Sequence, residues 1–223
     1  MSYKLKSRWL SSAKYPRKSP YAMTPQGIVV HNTAGDASAT EEAAAMVGNS
    51  SAVSFHVVID EEYAVECIPF SRNAFHAGDG AQGYANRNLI GIEIARSAEE
   101  SGDRFRRAEE NAALYIAHVC VQYGWTSAQL HQHNWYSATE CPHRTKEHWS
   151  DFLAKVDENI STIKASSEDH PAPSVPQVTL IALGKALDIP AENRNGTVYA
   201  PVRALCEALG FDVVWKDGEV MIA

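Results

Sequence analysis

The chain has 223 residues, 45% of them hydrophobic, and a formal net charge of −7. That length can bury one sizeable core and a smaller second one. The acidic balance, without a basic stripe carrying interleaved aromatics, argues against a nucleic-acid partner, and no apolar run reaches the length of a membrane span, so no membrane insertion is expected.

The first eighteen residues carry Lys4, Lys6, Arg8, Lys14, Arg17 and Lys18 and no acid. This reads as a solvated basic N-terminus, with contact to an anionic polymer as the alternative. Positive charge without an apolar core gives no secretory signal, so synthesis in the cytoplasm is expected. Cys67, Cys120, Cys141 and Cys206 are widely spaced and fit reduced thiols.

Further along, "GIVVHNT" (27–33) is a β-branched run predicting a buried strand that ends near His31. Ser38, with Glu41 three residues on, is a capping box that opens an alanine-rich helix. "VSFHVVID" (53–60) and "YAVECI" (63–68) predict two strands spaced like a hairpin, and "NLIGIEIA" (88–95) a third with Glu93 as its lone carboxylate. Residues 76–88, rich in Gly and Asn, read as an irregular loop. Ala108, Ala112, Tyr115, Val119 and Tyr123 share one face of a helix over 103–123, which Gly124 can terminate. Residues 130–144 read as a loop, and 146–163 return to helix with Trp149, Phe152, Val156 and Ile160 on one face. The alternation predicts an α/β domain with a central mixed β-sheet flanked by helices. Residues 165–177, "ASSEDHPAPSVPQ", read as a Ser/Pro-rich linker between a domain over 1–164 and a small α+β module over 178–223. In that module Val202, Leu205, Cys206 and Leu209 form a helical stripe. Asp217-Gly218 marks a hairpin, and "RNGT" (194–197) another turn.

The chemistry concentrates in "LHQHNWYSATECPHR" (130–144), which holds His131, His133, Cys141 and His143. His133 and Cys141 are eight residues apart, a gap that lets a loop fold back onto one ion. His31 could add a third ligand and leave a position open for water, as catalytic zinc sites do. A closed site completed by His143 or His131 is equally compatible with the spacing, as is a Cys–His nucleophile. "CPHR" lacks the second cysteine of a dithiol redox motif, which excludes that chemistry.

"IVVHNTAGDASATEE", "SFHVVID", "RNAFHAGDG", "IGIEIARS" and "HNWYSATECPHR" occur in this order. Together they resemble the zinc-dependent N-acetylmuramoyl-L-alanine amidases of the phage-lysin and peptidoglycan-recognition-protein superfamily, over roughly residues 10–150. The resemblance implies Zn2+ held by His31, His133 and Cys141, with His131 and His143 as bystanders. It implies hydrolysis of the amide between N-acetylmuramic acid and L-alanine in peptidoglycan, with Glu93 as proton acceptor and donor. Many relatives place a lysine two positions before the cysteine; here that residue is Thr139, which offers a hydroxyl but no charge. His76 is the first residue expected to compensate at the oxyanion. Asp79, Asn86 and Arg87 are expected to border the groove. An endolysin of this kind would be made in a host cytoplasm and reach the wall after release. A binding-only recognition protein of the same fold is the alternative, disfavoured because Cys141 is present. The tail is similar to the small bacterial module named after the copper amine oxidase N-terminal (stalk) domain. It contains no histidine, and it is expected to target the cell wall or to self-associate.

Overall fold

The computed structural model describes residues 3–169 and, beyond them, 180–182, 185–187, 192–194, 197–199, 205–206, 209, 213–216 and 219–222. The chain divides into two compact units, Met1–Ala165 and Ser166–Ala223.

The first unit is built on six strands: β1 (Lys4–Ser7), β2 (Gly27–Asn32), β3 (Val57–Ile59), β4 (Tyr63–Glu66), β5 (Leu89–Ile94) and β6 (Leu130–Gln132). Their order in the sheet is β1-β4-β3-β5-β2-β6. Only β3 and β4 pair antiparallel; every other neighbouring pair is parallel. The helices are α1 (Tyr15–Lys18), α2 (Ala39–Gly48), α3 (Tyr84–Asn88), α4 (Asp103–Tyr123) and α5 (Trp149–Asp169).

Side chains alternate across a strand, and the alternation sorts the two faces of this sheet. Ile28 and Val30 of β2, Ile90, Ile92 and Ile94 of β5, and Val57 and Ile59 of β3 pack with Ala112 and Ile116 of α4 and with Phe152, Val156 and Ile160 of α5. Each isoleucine, valine or phenylalanine among them, taken fully out of water, contributes about 1.5–3 kcal/mol. The intervening residues face the other way. Val58 and Val65 meet Ala39, Ala43 and Met46 of α2, and Val29 and Leu89 meet Ala77 and Ala85. His31 and Glu93 belong to this second face. The helix ends follow the sequence: Ser38 Oγ accepts from the Glu41 N–H and Glu41 Oε2 accepts from the Ser38 N–H, closing the capping box of α2. Gly124 ends α4 at φ 70°, a left-handed conformation that glycine adopts without strain.

The structure differs from the sequence reading in several places. The basic N-terminus is part of the fold: β1 joins the sheet edge, Lys4 Nζ pairs with Glu62 at 2.9 Å, and Lys6 Nζ sits 3.3 Å from the centre of the Tyr63 ring. Lys14 Nζ donates to the carbonyls of Gly48 and Asn49 at the C-terminal end of α2, where the helix dipole favours a cation. Lys18 is fully buried and donates to Asn49 Oδ1 (3.0 Å) and the Val53 carbonyl (2.9 Å). The strand itself is only Lys4–Ser7, exposed throughout, too short and polar to show as a periodic pattern, while Leu10, Tyr3 and Tyr15 pack on the core around it. Residues 53–56 are not strand, α3 lies inside the predicted loop over 76–88, and 130–132 are strand rather than loop. Helix α5 continues to Asp169, so the first five residues of the predicted linker are helical; 170–177 lie outside the described residues.

In the second unit, β7 (Leu180–Ala182), β8 (Lys185–Leu187), β9 (Glu192–Arg194), β10 (Thr197–Tyr199), β11 (Val213–Lys216) and β12 (Glu219–Ile222) form three antiparallel pairs. Arg194 pairs with Thr197 and Lys216 with Glu219; the turn residues read from "RNGT" and Asp217-Gly218, 195–196 and 217–218, lie outside the described residues. Leu205 and Cys206 are helical, and Val202 lies outside the described residues. Among the described residues no helix is long and apolar enough to cross a membrane.

Lys18 holds the 49–53 segment through two bonds from a buried ammonium. Hydrogen bonds to charged groups contribute about 1.5–3 kcal/mol each, and orphaned buried acceptors carry a further cost. Lys18→Met is therefore expected to lower unfolding free energy by about 2–4 kcal/mol, measured by urea denaturation. An unchanged midpoint would show that the clamp contributes nothing.

Candidate metal centre and active-site groove

The parallel register sets the site. His31 in β2 stands opposite Glu93 in β5, which stands opposite Val58 in β3. On the other side of β2, Val30 pairs with Gln132 at the end of β6, so the next residue on each strand, His31 and His133, come level. Ligand sites in open parallel sheets form at such C-terminal strand ends. The chain then turns through a short 3-10 helix, His133–Trp135, and returns Cys141 beside the end of β2. There the Asn32 N–H points at Cys141 Sγ, 3.3 Å away.

Asn32 fastens this return. Its Oδ1 accepts from the backbone N–H groups of Arg144 (2.9 Å) and Thr145 (3.1 Å), and its Nδ2 donates to Thr145 Oγ1 (3.0 Å). The loop is also held from below. Tyr136 packs against the Val29 and Leu89 cluster, and its hydroxyl is 2.7 Å from His131 Nδ1. His131 thus stands apart from the three donors, and His143 lines the groove beside them.

His31, His133 and Cys141 bring one ligand atom each within 4.8 Å of one another. His31 Nδ1 and His133 Nδ1 are 3.1 Å apart, and Cys141 Sγ is 3.9 Å from His31 Nδ1. Donors on one tetrahedral zinc, with bonds of about 2.0–2.1 Å to nitrogen and 2.3 Å to sulfur, stand about 3.3 Å (N to N) and 3.6 Å (N to S) apart. The donor set fits such an ion and could hold it. Its protonation fits as well. Burial, with His76 and His133 next in effect, holds His31 well below the usual imidazole range, and burial lowers His133 too, so both rings are neutral near pH 7. The Cys141 thiol is pushed up to about 12 by burial and by the Glu93 carboxylate. Only a cation at the site would make it a thiolate near neutrality.

Glu93 is half-buried beside this cluster, and burial, with Glu42 second, pushes its carboxyl up to about 8. Together these groups line a groove of about 570 Å³, whose far wall is Glu42, Met46, Asn49 and Phe55. A second cleft of about 500 Å³ continues past Phe75, Gly78 and Ala81, and the two share Val53, His76, His133 and Thr139.

Thr139 lies exposed on the rim common to both clefts. Its Oγ1 accepts from Ser137 Oγ at 3.1 Å, and Ser137 Oγ is 3.0 Å from His133 Nε2. His76 differs from the expectation of an oxyanion group. Its ring is buried with both nitrogens engaged: Nε2 faces the Leu89 carbonyl at 3.1 Å, and Nδ1 is 3.0 Å from His31 Nε2. The neutral ring has one N–H, and the carbonyl takes it, leaving no hydrogen for an oxyanion. Asp79 and Asn86 are also occupied within the fold. Asp79 Oδ2 accepts from the Ala85 N–H at the start of α3, and Asn86 Oδ1 accepts from the His76 and Ala77 N–H groups at 2.8 Å. Arg87 stacks on Tyr21 and donates to Gln82. Asn32 and Ser137 were not singled out in the sequence. Asn32 could have been, from its place beside His31 at a strand end. Nothing in the pattern marks a lone serine in a loop.

Residues 21–144 match the family model described as N-acetylmuramoyl-L-alanine amidase. The chain is 37% identical to the N-acetylmuramoyl-L-alanine amidase XlyB of Bacillus subtilis over 163 residues, 72% of this chain and 51% of XlyB. It therefore spans about half the length of that relative. It is 39% identical to the N-acetylmuramoyl-L-alanine amidase CwlA of a Bacillus species over 213 residues, 93% of this chain and 82% of that one. The solved structure of PlyL superposes with a TM-score of 0.66 at 37% identity, covering 69% of this chain and 97% of PlyL. With the motifs in order, the sheet in register and the donors converging, the chain belongs to the N-acetylmuramoyl-L-alanine amidase family.

Proposed function

We propose that this chain is a zinc-dependent N-acetylmuramoyl-L-alanine amidase that hydrolyses the amide between N-acetylmuramic acid and L-alanine in bacterial peptidoglycan. The observation that carries the reading is the convergence of His31, His133 and Cys141 at the strand ends, in an open groove beside Glu93. Zn2+ in this position would supply a Lewis acid and lower the pKa of bound water from about 15.7 to about 7.

The chain's own residues then divide the work. Neutral His31 and His133 and the Cys141 thiolate would hold the ion. Glu93 accepts the proton of the attacking water and returns it to the departing L-alanine amine. Burial raises the Glu93 carboxyl, and a dication beside it would lower it, so the two act in opposite directions on its proton. Thr139 Oγ1, on the rim shared by the two clefts, is placed to contact the substrate amide or its flanking groups as a neutral hydrogen-bonding group. The two connected clefts offer separate space for glycan and stem peptide. Residues 178–223 would tether the catalytic unit to the wall and raise its local concentration there. Synthesis in a host cytoplasm, with access to the wall after release, fits the same role.

Digestion of purified peptidoglycan followed by mass spectrometry is expected to show new L-alanine amino termini and no new reducing sugar ends. New sugar ends without amines would overturn the amidase reading. Glu93→Gln is expected to lower kcat by about 10²–10⁴-fold, the scale of general acid–base catalysis, while still binding zinc. Wild-type turnover in that variant would remove Glu93 from the mechanism.

Because the Cys141 thiol must lose its proton to bind metal, apparent zinc affinity is expected to rise with pH. Below its raised pKa the thiol is protonated, so each pH unit between 7 and 8 is expected to add at least about tenfold. Competition against a chelator of known affinity measures this. An affinity independent of pH would exclude thiolate ligation.

A further inference from the structure

We infer that His76 is a positioning residue for the metal centre: it fixes the tautomer of His31 so that Nδ1 presents its lone pair to the ion. The inference rests on reading His31, His133 and Cys141 as that centre.

The chain of hydrogen bonds has one direction. The Leu89 carbonyl can only accept, so His76 Nε2, 3.1 Å away, carries the hydrogen. A neutral His76 then has a bare Nδ1, which must accept from His31 Nε2 at 3.0 Å. His31 Nε2 is thereby the protonated nitrogen, and Nδ1 is left bare toward His133 Nδ1 at 3.1 Å and Cys141 Sγ at 3.9 Å. A backbone carbonyl fixed in β5 thus sets the ligand atom of a histidine on β2, through a second imidazole.

The surrounding structure holds the His76 ring in place. His31 and His76 meet edge-on, with their rings perpendicular and the centroids 5.1 Å apart. Beneath the ring lies Gly91, where a Cβ would come within 2.5 Å of His76 Cγ. Only a residue without a side chain leaves the space that His76 fills. Behind it, His56 is excluded as a competing partner. The Gly91 N–H donates to His56 Nδ1 at 2.9 Å, and His56 Nε2 donates to the Arg72 carbonyl at 2.9 Å. In front, Asn86 Oδ1 binds the backbone N–H groups of both His76 and Ala77, so the ring's position is fixed from its own main chain. A histidine meant only to fill a gap would not need both nitrogens aligned between a carbonyl and a second ring.

The test uses the full chain. With 15N-labelled, metal-free protein, long-range 1H–15N correlation spectra are expected to show His31 and His76 neutral and protonated on Nε2. A proton on His31 Nδ1 would overturn the relay. Zinc affinity by chelator competition is expected to fall about 10–100-fold in His76→Phe, the usual effect of removing a ligand's hydrogen-bond partner. It is expected to recover in part in His76→Gln, whose amide oxygen can accept from His31 Nε2. Affinity within twofold of wild type in His76→Phe, with an unchanged circular dichroism spectrum, would also overturn it. If that variant does not fold, the wild-type tautomer spectrum decides. Cys141→Ser separates the two readings. Loss of zinc in Cys141→Ser but not in His76→Phe rejects the relay alone. Full zinc affinity in Cys141→Ser rejects the metal centre beneath it.

Discussion

The pairing of β2 with its parallel neighbours β5 and β6 is the constraint on which the rest of this molecule depends. Parallel strands run level, so residues paired across them emerge at the same height and on the same face. His31 is therefore placed beside Glu93 by the register of two buried, β-branched strands, and His133 is delivered to the same level by the residue after β6. A slip of one residue would turn His31 and Glu93 into the helix-packed face and expose Ile92 or Val30 in their place. The isoleucines that pack on α4 and α5 prevent that slip. The same burial that stabilises the core thus fixes the donors, and no separate scaffold is needed to aim them.

The second face of the sheet is polar in a controlled way. His31, His56 and His76 are all buried there, yet each of their ring nitrogens meets a carbonyl, an N–H or another ring. A buried unpaired imidazole would cost about 1–3 kcal/mol, so the histidines are tolerable only as a set. Gly91 is part of that set, since its missing side chain is the space the His76 ring occupies.

Much of this was legible from the residues. The strand at 27–32, the capping box at Ser38, the helix over 103–123 and its stop at Gly124 carry strong local signals: β-branched runs, cap chemistry, and a four-and-three apolar stripe. The strand at 130–132 was hidden because three residues are too few to show alternation, and it exists through pairing with β2. The N-terminal strand was hidden for another reason. Its residues are charged and exposed, and partners distant in sequence, such as Glu62 and Tyr63, hold it. Spacing alone left the ligand set open among four residues of one loop. In the fold His131 turns back to Tyr136 while His133 and Cys141 come together with His31, and His143 lines the same groove. His76 was legible as a residue near the groove but not in its role, since a hydrogen bond to a main-chain carbonyl leaves no trace in sequence.

Thr139 has a consequence for the charge balance of the groove. Among the described residues lining it there is no lysine or arginine, while Glu42, Glu93 and Glu140 all face it. Here a bound dication would be the principal positive charge; of the three carboxyl groups, Glu140 already pairs with Lys146 and burial holds Glu93 above its ordinary value. That arrangement would concentrate electrostatic stabilisation of a developing oxyanion on such an ion. The aim of its ligands then matters more than in a site with a second cation to share the work. His76, hydrogen-bonded to the His31 ring, and Gly91, whose missing side chain leaves room for it, would serve that aim.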